Sequence, residues 1–509
     1  MKKRFAMLLI AVLLVLSACG GGGQSASSSS GASSAGDGSQ KEVQVPVTTP
    51  FTLAIYPEFS LHPALAANRS NLTLAPLLYE SLFAVDASFQ AQPVLCRSDT
   101  VSEDKLVWTF TLQRGVTFSD GTPLTGQTVA DALNLARSER GRYRERLSDV
   151  AAITVPEEEP DQIVITLSRP NGSLPLLLDI PIALGEGDRP AGTGPYMLSG
   201  NDDNLTLTAR PNWWRKEGTL PVPVIYLHAV SRSDELIYAF DAGEISLVDV
   251  DLMATNAMGY GGNYQTWGYA ATDFLYLGFN TQSALCRAAQ TRQAIALAVD
   301  RDTIAATIYA NHAVPTLLPV HPDSDLYSQG AASAFPRYDP ETLAARMEEL
   351  RLQDQALVFL VNSENTAKGS AAQLIAYQLQ AAGFAVELRQ LPFDEYTAAL
   401  AAREFDLYLG ETVFTADFDL STLLSSYGAL NYGGWWHEQS DGLLNALRAA
   451  SPEERAGAAD QLFGLLGEQM PIVPILFKNG SVLTQWGRLS GLSPVRGNVF
   501  YQLENWIIK

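Results

Sequence analysis

The stretch from about Ala356 to Gly410 constrains the fold more than any other part of the chain. Ala356 to Val361 is a continuous apolar run, the pattern of a strand covered on both faces. Leu374, Tyr377 and Ala381 then mark a helix, and Gly383 stands where a left-handed residue would end it. Phe384, Val386 and Leu388 alternate as a second strand, a helix begins near Asp394, and Phe405 to Leu409 reads as a third strand. A β-α-β-α-β order with right-handed crossovers requires a parallel sheet. Ligands of such sheets sit beyond the carboxyl ends of the strands, so position nominates the segment from Gly410 through Glu411 and Thr415 to Asp417 as a binding loop.

A second module has another rhythm. Leu106, Trp108, Phe110 and Leu112 alternate with Val107, Thr109 and Thr111, as in a half-buried strand. Turn residues follow at Arg114-Gly115 and Ser119-Asp120-Gly121, and Thr125 is placed to cap a helix whose apolar face holds Val129, Leu133 and Ala136. Ile153 and Val155, then Ile163, Ile165 and Leu167, flank the acidic turn from Glu157 to Asp161 and predict an antiparallel hairpin.

Length and charge narrow the function classes. A chain of 509 residues, 47% apolar and 17% charged, buries a sizeable core and suits neither a coiled coil nor a disordered polymer. The net charge of −21, with no Lys/Arg-rich patch longer than a few residues, disfavours nucleic acid as a partner. Cys19, Cys96 and Cys286 match no zinc spacing, and His62, His228, His312, His321 and His437 are dispersed. No metal site, cofactor or disulfide framework is expected, and Cys96 and Cys286 are expected to be unpaired, buried thiols.

The N-terminus reads as an export signal. Lys2, Lys3 and Arg4 precede an apolar run from Phe5 to Leu16, too short for the roughly 20 residues that span a bilayer. Leu16-Ser17-Ala18-Cys19 resembles a bacterial lipobox, which implies cleavage after residue 18 and a diacylglycerol on Cys19. Residues 19–42 are rich in Gly and Ser and lack the apolar surface to order themselves, so they are expected to form a tether reaching roughly 25 Å.

An ordered set of blocks runs along the chain: Leu77-Leu78-Tyr79-Glu80-Ser81-Leu82, Trp108 to Leu112 with Gly115 to Leu124, Gly192-Thr193-Gly194-Pro195-Tyr196 and Arg210-Pro211-Asn212-Trp213-Trp214. Leu277-Gly278-Phe279-Asn280-Thr281, Arg292 to Ile295, Val299-Asp300-Arg301 and Tyr338-Asp339-Pro340-Glu341 complete it. Together they resemble the extracellular solute-binding proteins of peptide-type ABC importers, family 5, which include oligopeptide-, dipeptide- and nickel-binding members. The resemblance implies an α/β, two-lobed fold of the periplasmic-binding-protein kind (class II, Venus flytrap) with an extra inserted α+β domain. Lobe I would take residues 43–70, 186–275 and 485–509, the inserted domain 71–185, and lobe II 276–484, with a hinge near 270–280 and 480–490. It implies a lipid-anchored, extracytoplasmic, monomeric binder that captures peptides and delivers them to membrane permease subunits.

The resemblance also implies site residues. Thr415-Ala416-Asp417-Phe418-Asp419 is similar to the family turn whose acidic residue receives a peptide α-ammonium, so Asp417 is the expected partner, with Thr415 and Phe418 beside it. The family's proline after the position of Asp419 is Leu420 here. Asn431-Tyr432-Gly433-Gly434-Trp435 resembles a second family segment in which Trp435 replaces a tyrosine, so Asn431, Tyr432 and Trp435 are expected to line the pocket. Lys368 reads as an exposed lysine, with capture of a ligand carboxylate as the alternative. Non-peptide ligands of the family (nickel chelates, heme, oligosaccharides) and a peptide-sensing lipoprotein remain alternatives. An enzyme is a weaker one, because only Glu411, Asp417 and Asp419 offer paired carboxylates and no nucleophile or nucleotide motif accompanies them.

Overall fold

The computed structural model describes residues 50–201, 204–215, 220–254 and 259–509. The signal segment, Cys19, the tether and residues 43–49 lie outside the described residues. Strand β1 (Phe51–Ile55) opens the described chain and is followed by a short helix, Arg69–Thr73, capped by the Asn68 side chain. Strands β2 (Cys96–Val101), β3 (Val107–Leu112), β4 (Val150–Thr154) and β5 (Gln162–Leu167) then form an antiparallel sheet in the order β2-β3-β5-β4. The alternation foreseen in the sequence orients this sheet: Trp108, Phe110, Leu112, Ile163 and Ile165 are buried together. Helix α1 (Gly126–Ala136) covers them with Val129, Leu133 and Ala136. Thr125 caps it reciprocally, its hydroxyl accepting from the Thr128 amide while the Thr125 amide donates to the Thr128 hydroxyl.

Strands β6 (Tyr196–Ser199), β7 (Thr206–Ala209) and β8 (Val224–Ala229) return the chain to β1, in the order β1-β8-β7-β6. Their core holds Leu53, Ile55, Tyr196, Leu207 and Ile225. The Arg210 guanidinium locks three of the sequence blocks together by donating to the carbonyls of Gly194, Thr117 and Phe118. The glycine block is thus a packing device, and Tyr196 lies wholly inside, its hydroxyl donating to Val222 O at 2.7 Å.

Six further strands build one large sheet. They are β9 (Leu247–Val250), β10 (Tyr264–Phe279), β11 (Ala356–Asn362), β12 (Ala385–Leu391), β13 (Leu407–Val413) and β14 (Ile472–Gln485), in the order β9-β14-β10-β13-β11-β12. A short strand, Ala313–Pro315, also pairs with β14. As the β-α-β-α-β reading requires, β11 is parallel to both β12 and β13, with helices α2 (Thr366–Ala382) and α3 (Phe393–Ala402) as crossovers. Gly383 ends α2 at φ 110°, a conformation that costs glycine little. One boundary differs from the sequence reading: β13 continues to Val413, opposite Asp273, so the loop starts at Phe414 instead of Gly410. Gly410 is a packing position and not a breaker, because a Cβ there would lie 2.3 Å from Cζ of Tyr276, whose ring covers it.

Two long strands link the sheets. The first part of β10 and the last part of β14 pair from Tyr264↔Gln485 to Ala270↔Asn479, and Trp267, Tyr269 and Val482 pack with the core of the β1 sheet. Pairing resumes at Phe274↔Phe477, where both strands enter the core of the large sheet. The register break leaves Ala271–Asp273 opposite Lys478, so the crossing sits at the start of the first expected hinge segment and just before the second.

Both thiols of the described chain are unpaired and buried, and burial pushes each up to about 12. Native protein at pH 7.5 is expected to resist iodoacetamide at Cys96 and Cys286 while denatured protein alkylates at both, because only the thiolate reacts. Rapid labelling of either in native protein, read by peptide mass mapping, would contradict the packing described.

Candidate functional site

The carboxyl ends of β11 and β13 carry a charged cluster. Lys478 Nζ lies 2.5 Å from Glu411 Oε1 and 3.9 Å from both Asp251 and Asp273. Burial alone would lower this ammonium, but Glu411, Asp251 and Asp273 outweigh it and hold it above its usual value. Burial raises the Asp273 carboxyl, and Lys478 only partly opposes that. Lys368, read as exposed from the sequence, is buried: Asn365 caps α2 and turns Lys368 inward, where Nζ donates to Asn362 Oδ1 at 2.8 Å and sits over the Tyr396 ring. Desolvation pushes this lysine down to about 8 against the pull of Glu411.

The six residues expected to line one pocket fall into two separate groups. Thr415 donates its hydroxyl to Asp417 Oδ1, and Arg455 donates to the Asp417 carbonyl at 2.9 Å. Burial and the Asp419 charge raise the Asp417 carboxyl above the usual range. The cavity beside it, walled by Asn171, Ser173, Arg448 and Arg455, is only about 10 Å³, room for one water and not for a peptide terminus. Phe418 turns away at φ 51° and is fully buried, edge-on to Phe89 at 5.0 Å and to Phe477 at 5.8 Å.

Asn431, Tyr432 and Trp435 lie at the other end of β13. The Thr281 amide donates to Gly433 O, and Gly433 backs onto Phe279, which pairs with Leu407 at the start of that strand. Phe414 pairs with Thr272 at its far end, so the groups are separated by about six residues of strand, roughly 20 Å. Asn431 spends its side chain on the turn, donating to Ser425 O and Trp435 O and accepting from the Trp435 amide. Tyr432 stands edge-on to Tyr408, Trp435 is buried, and Trp436 is exposed. In this conformation these residues shape loops.

A cavity of about 390 Å³ opens instead where the β1 sheet, the β2–β5 module and the first half of β10 meet. Its wall brings together Arg69, Arg142, Tyr143, Arg146, Asp179, Asp249, Tyr269 and Arg496. Asp249 accepts from Tyr269 Oη at 2.9 Å and pairs with Arg69 at 3.4 Å, while Asp179 pairs with both Arg146 and Arg496. Burial raises Asp249 despite Arg69 and Tyr269. The cavity adjoins the charged cluster: Arg69 feels the Asp251 charge and Arg496 that of Asp273. A second cavity of about 300 Å³ shares the wall at Asp179, Pro181 and Arg496, and one of its acids, Glu80, already accepts from Trp214 Nε1 at 2.7 Å. Among the described residues no group of three or more His, Cys, Asp or Glu is arranged to hold a metal ion, and no helix is long and apolar enough to cross a membrane.

None of these wall residues was nominated from the sequence. One signal was visible and corrects the reading that no basic patch exceeds a few residues: Arg137, Arg140, Arg142, Arg144 and Arg146 place five arginines in ten residues of an otherwise acidic chain. Arg69, Asp249, Tyr269 and Arg496 carry no such local mark, because only the fold assembles them.

Comparison with known proteins accords with this architecture. The glutathione-binding protein GsiB of Salmonella choleraesuis is 24% identical over 471 residues, covering 86% of this chain and 89% of its own. The structure of HbpA2 from Haemophilus parasuis superposes with a TM-score of 0.75 at 18% identity, over 90% of this chain and 99% of that one. MppA, a periplasmic murein tripeptide binding protein in an unliganded open form, gives a TM-score of 0.75 at 17% identity, covering 90% and 97%. These likenesses establish the two-lobed α/β fold that the ordered blocks implied. Residues 90–434 match the family described as bacterial extracellular solute-binding proteins, family 5 Middle, and to that family the chain belongs.

Proposed function

We propose that this protein captures peptides or closely related small solutes outside the cytoplasm and presents them to an ABC permease by closing its two lobes. Export and a lipid on Cys19 would hold it at the membrane, a reading that rests on the Leu16-Ser17-Ala18-Cys19 block. The observation that carries the function is the pair of strands β10 and β14, which link the β1 sheet to the large sheet and break pairing between Ala270 and Phe274, beside a cavity of about 390 Å³. A cavity of that size suits a small solute, and two lobes joined through such a break can close on it. GsiB and MppA, named for glutathione and for a murein tripeptide, support a short peptide as the solute class.

Small-angle scattering tests the mechanism. With a tripeptide that calorimetry shows to bind, the radius of gyration is expected to fall; an unchanged radius at saturation would speak against lobe closure.

A further inference from the structure

The charge of the cavity wall is opposite to that of the protein. The chain carries −21, yet the charged side chains lining the cavity are four arginines and two aspartates, a balance of +2 before the adjoining Asp251 and Asp273 are counted. The aspartates are already engaged, Asp249 by Arg69 and Tyr269, Asp179 by Arg146 and Arg496. Arg142 forms no ion pair among the described residues; it is exposed, and its guanidinium rests over the Tyr143 ring at 5.3 Å. Arg146 also lies against this ring, at 4.9 Å, so one tyrosine contacts two guanidinium groups. Cations gathered without matching acids repel one another, and an anion entering between them relieves that cost and gains charge-assisted, forked hydrogen bonds.

We infer that the solute is an anion, bound by at least one carboxylate or phosphate-like group against Arg142 and the neighbouring guanidinium groups of this cavity. The inference rests on the solute-binding reading and adds the charge class of the ligand. It also moves the principal electrostatic contact from Asp417, where an ammonium group was expected, to a cationic wall made by two modules of the chain.

Calorimetry on the purified protein decides it, with Glu-Ala-Glu, Ala-Ala-Ala and Lys-Ala-Lys as peptides of one length, and citrate and inorganic phosphate as anions that are not peptides. Glu-Ala-Glu is expected to bind at least tenfold more tightly than Lys-Ala-Lys. Arg142→Gln, at an exposed position where folding is not at stake, should weaken binding of Glu-Ala-Glu by roughly tenfold or more, since a hydrogen bond to a charged group is lost. Arg142→Lys, which keeps the charge but not the fork, should fall between the wild type and Arg142→Gln. Equal or tighter binding of the cationic or neutral peptide overturns the inference while leaving the solute-binding function intact. Binding of citrate or phosphate alone, weakened by Arg142→Gln, supports the anion and removes the peptide. Failure of every anion to bind at millimolar concentration, or indifference of their binding to Arg142→Gln, also overturns it.

Discussion

Replacing Phe418 by alanine is expected to cost about 3–5 kcal/mol of stability, the range for emptying a fully buried aromatic site. The ring has no solvent exposure and is enclosed by Phe89, Phe414 and Phe477, with centroid distances of 5.0, 6.2 and 5.8 Å. Phe89 precedes β2 whereas Phe477 lies on β14, so the lost contacts join distant stretches of chain and cannot be restored by a local shift. Its left-handed backbone at φ 51° is kept by the alanine, so the deficit measures the cavity and not released strain. Urea unfolding should show the loss, and affinity per folded molecule should be unchanged because the ring faces no cavity able to hold a solute. A cost below about 1 kcal/mol, joined to weakened solute binding, would return Phe418 to the pocket-lining role suggested by its turn.

Lys478→Met is the second large effect, expected to cost about 2–4 kcal/mol at neutral pH. Removing one partner of a buried ion pair typically costs about 3–5 kcal/mol, and the value is lowered here because water still reaches the acids. Glu411, Asp251 and Asp273 are 21%, 28% and 33% exposed, while Lys478 itself is 10% exposed. Methionine keeps the length of the stem and leaves three carboxylates facing one another. The pH dependence follows from the raised ammonium: the folded state holds this proton more tightly than the unfolded state. Its stabilisation is therefore complete below the ordinary lysine value of about 10.5 and is lost as pH rises through the higher folded value. Wild-type protein should show that alkaline loss in urea midpoints measured from pH 9 to 12, and Lys478→Met should lack it. Parallel curves for the two proteins would mean that Lys478 makes no net contribution at the crossing.

The elements that could be read from the chain are those in which neighbours in sequence decide the outcome. Apolar runs and a glycine at the end of α2 were enough for the parallel strands, although α2 buries Ala372, Ile375, Ala376 and Leu379 and leaves Tyr377 and Ala381, read as its apolar marks, exposed; Thr125 announced the helix that it caps. The extent of β13 was not readable, because whether Gly410 breaks a strand or continues it depends on Tyr276, which faces it from β10. The site was harder still. The segment nominated by position does follow the carboxyl edge of the sheet, where Glu411, Lys368 and Lys478 gather, yet its turn carries Phe418 into an aromatic core and leaves Asp417 room for one water. The cationic cavity draws Arg69, Arg142, Asp249, Tyr269 and Arg496 from widely separated segments, and no local pattern encodes such a gathering.

The gap in register between Ala270 and Phe274 has a mechanical corollary. Thr272, at its centre, is fastened on the other side: its carbonyl accepts from the Phe414 amide at 3.0 Å and its hydroxyl donates to the Phe414 carbonyl at 2.6 Å. Rotation at this point breaks no rung on the β14 side but pulls on a doubly tied clasp leading straight into Thr415, Asp417 and Phe418. A rotation of the lobes about this point, as the proposed closure requires, would therefore load the loop that seats Phe418 among Phe89, Phe414 and Phe477.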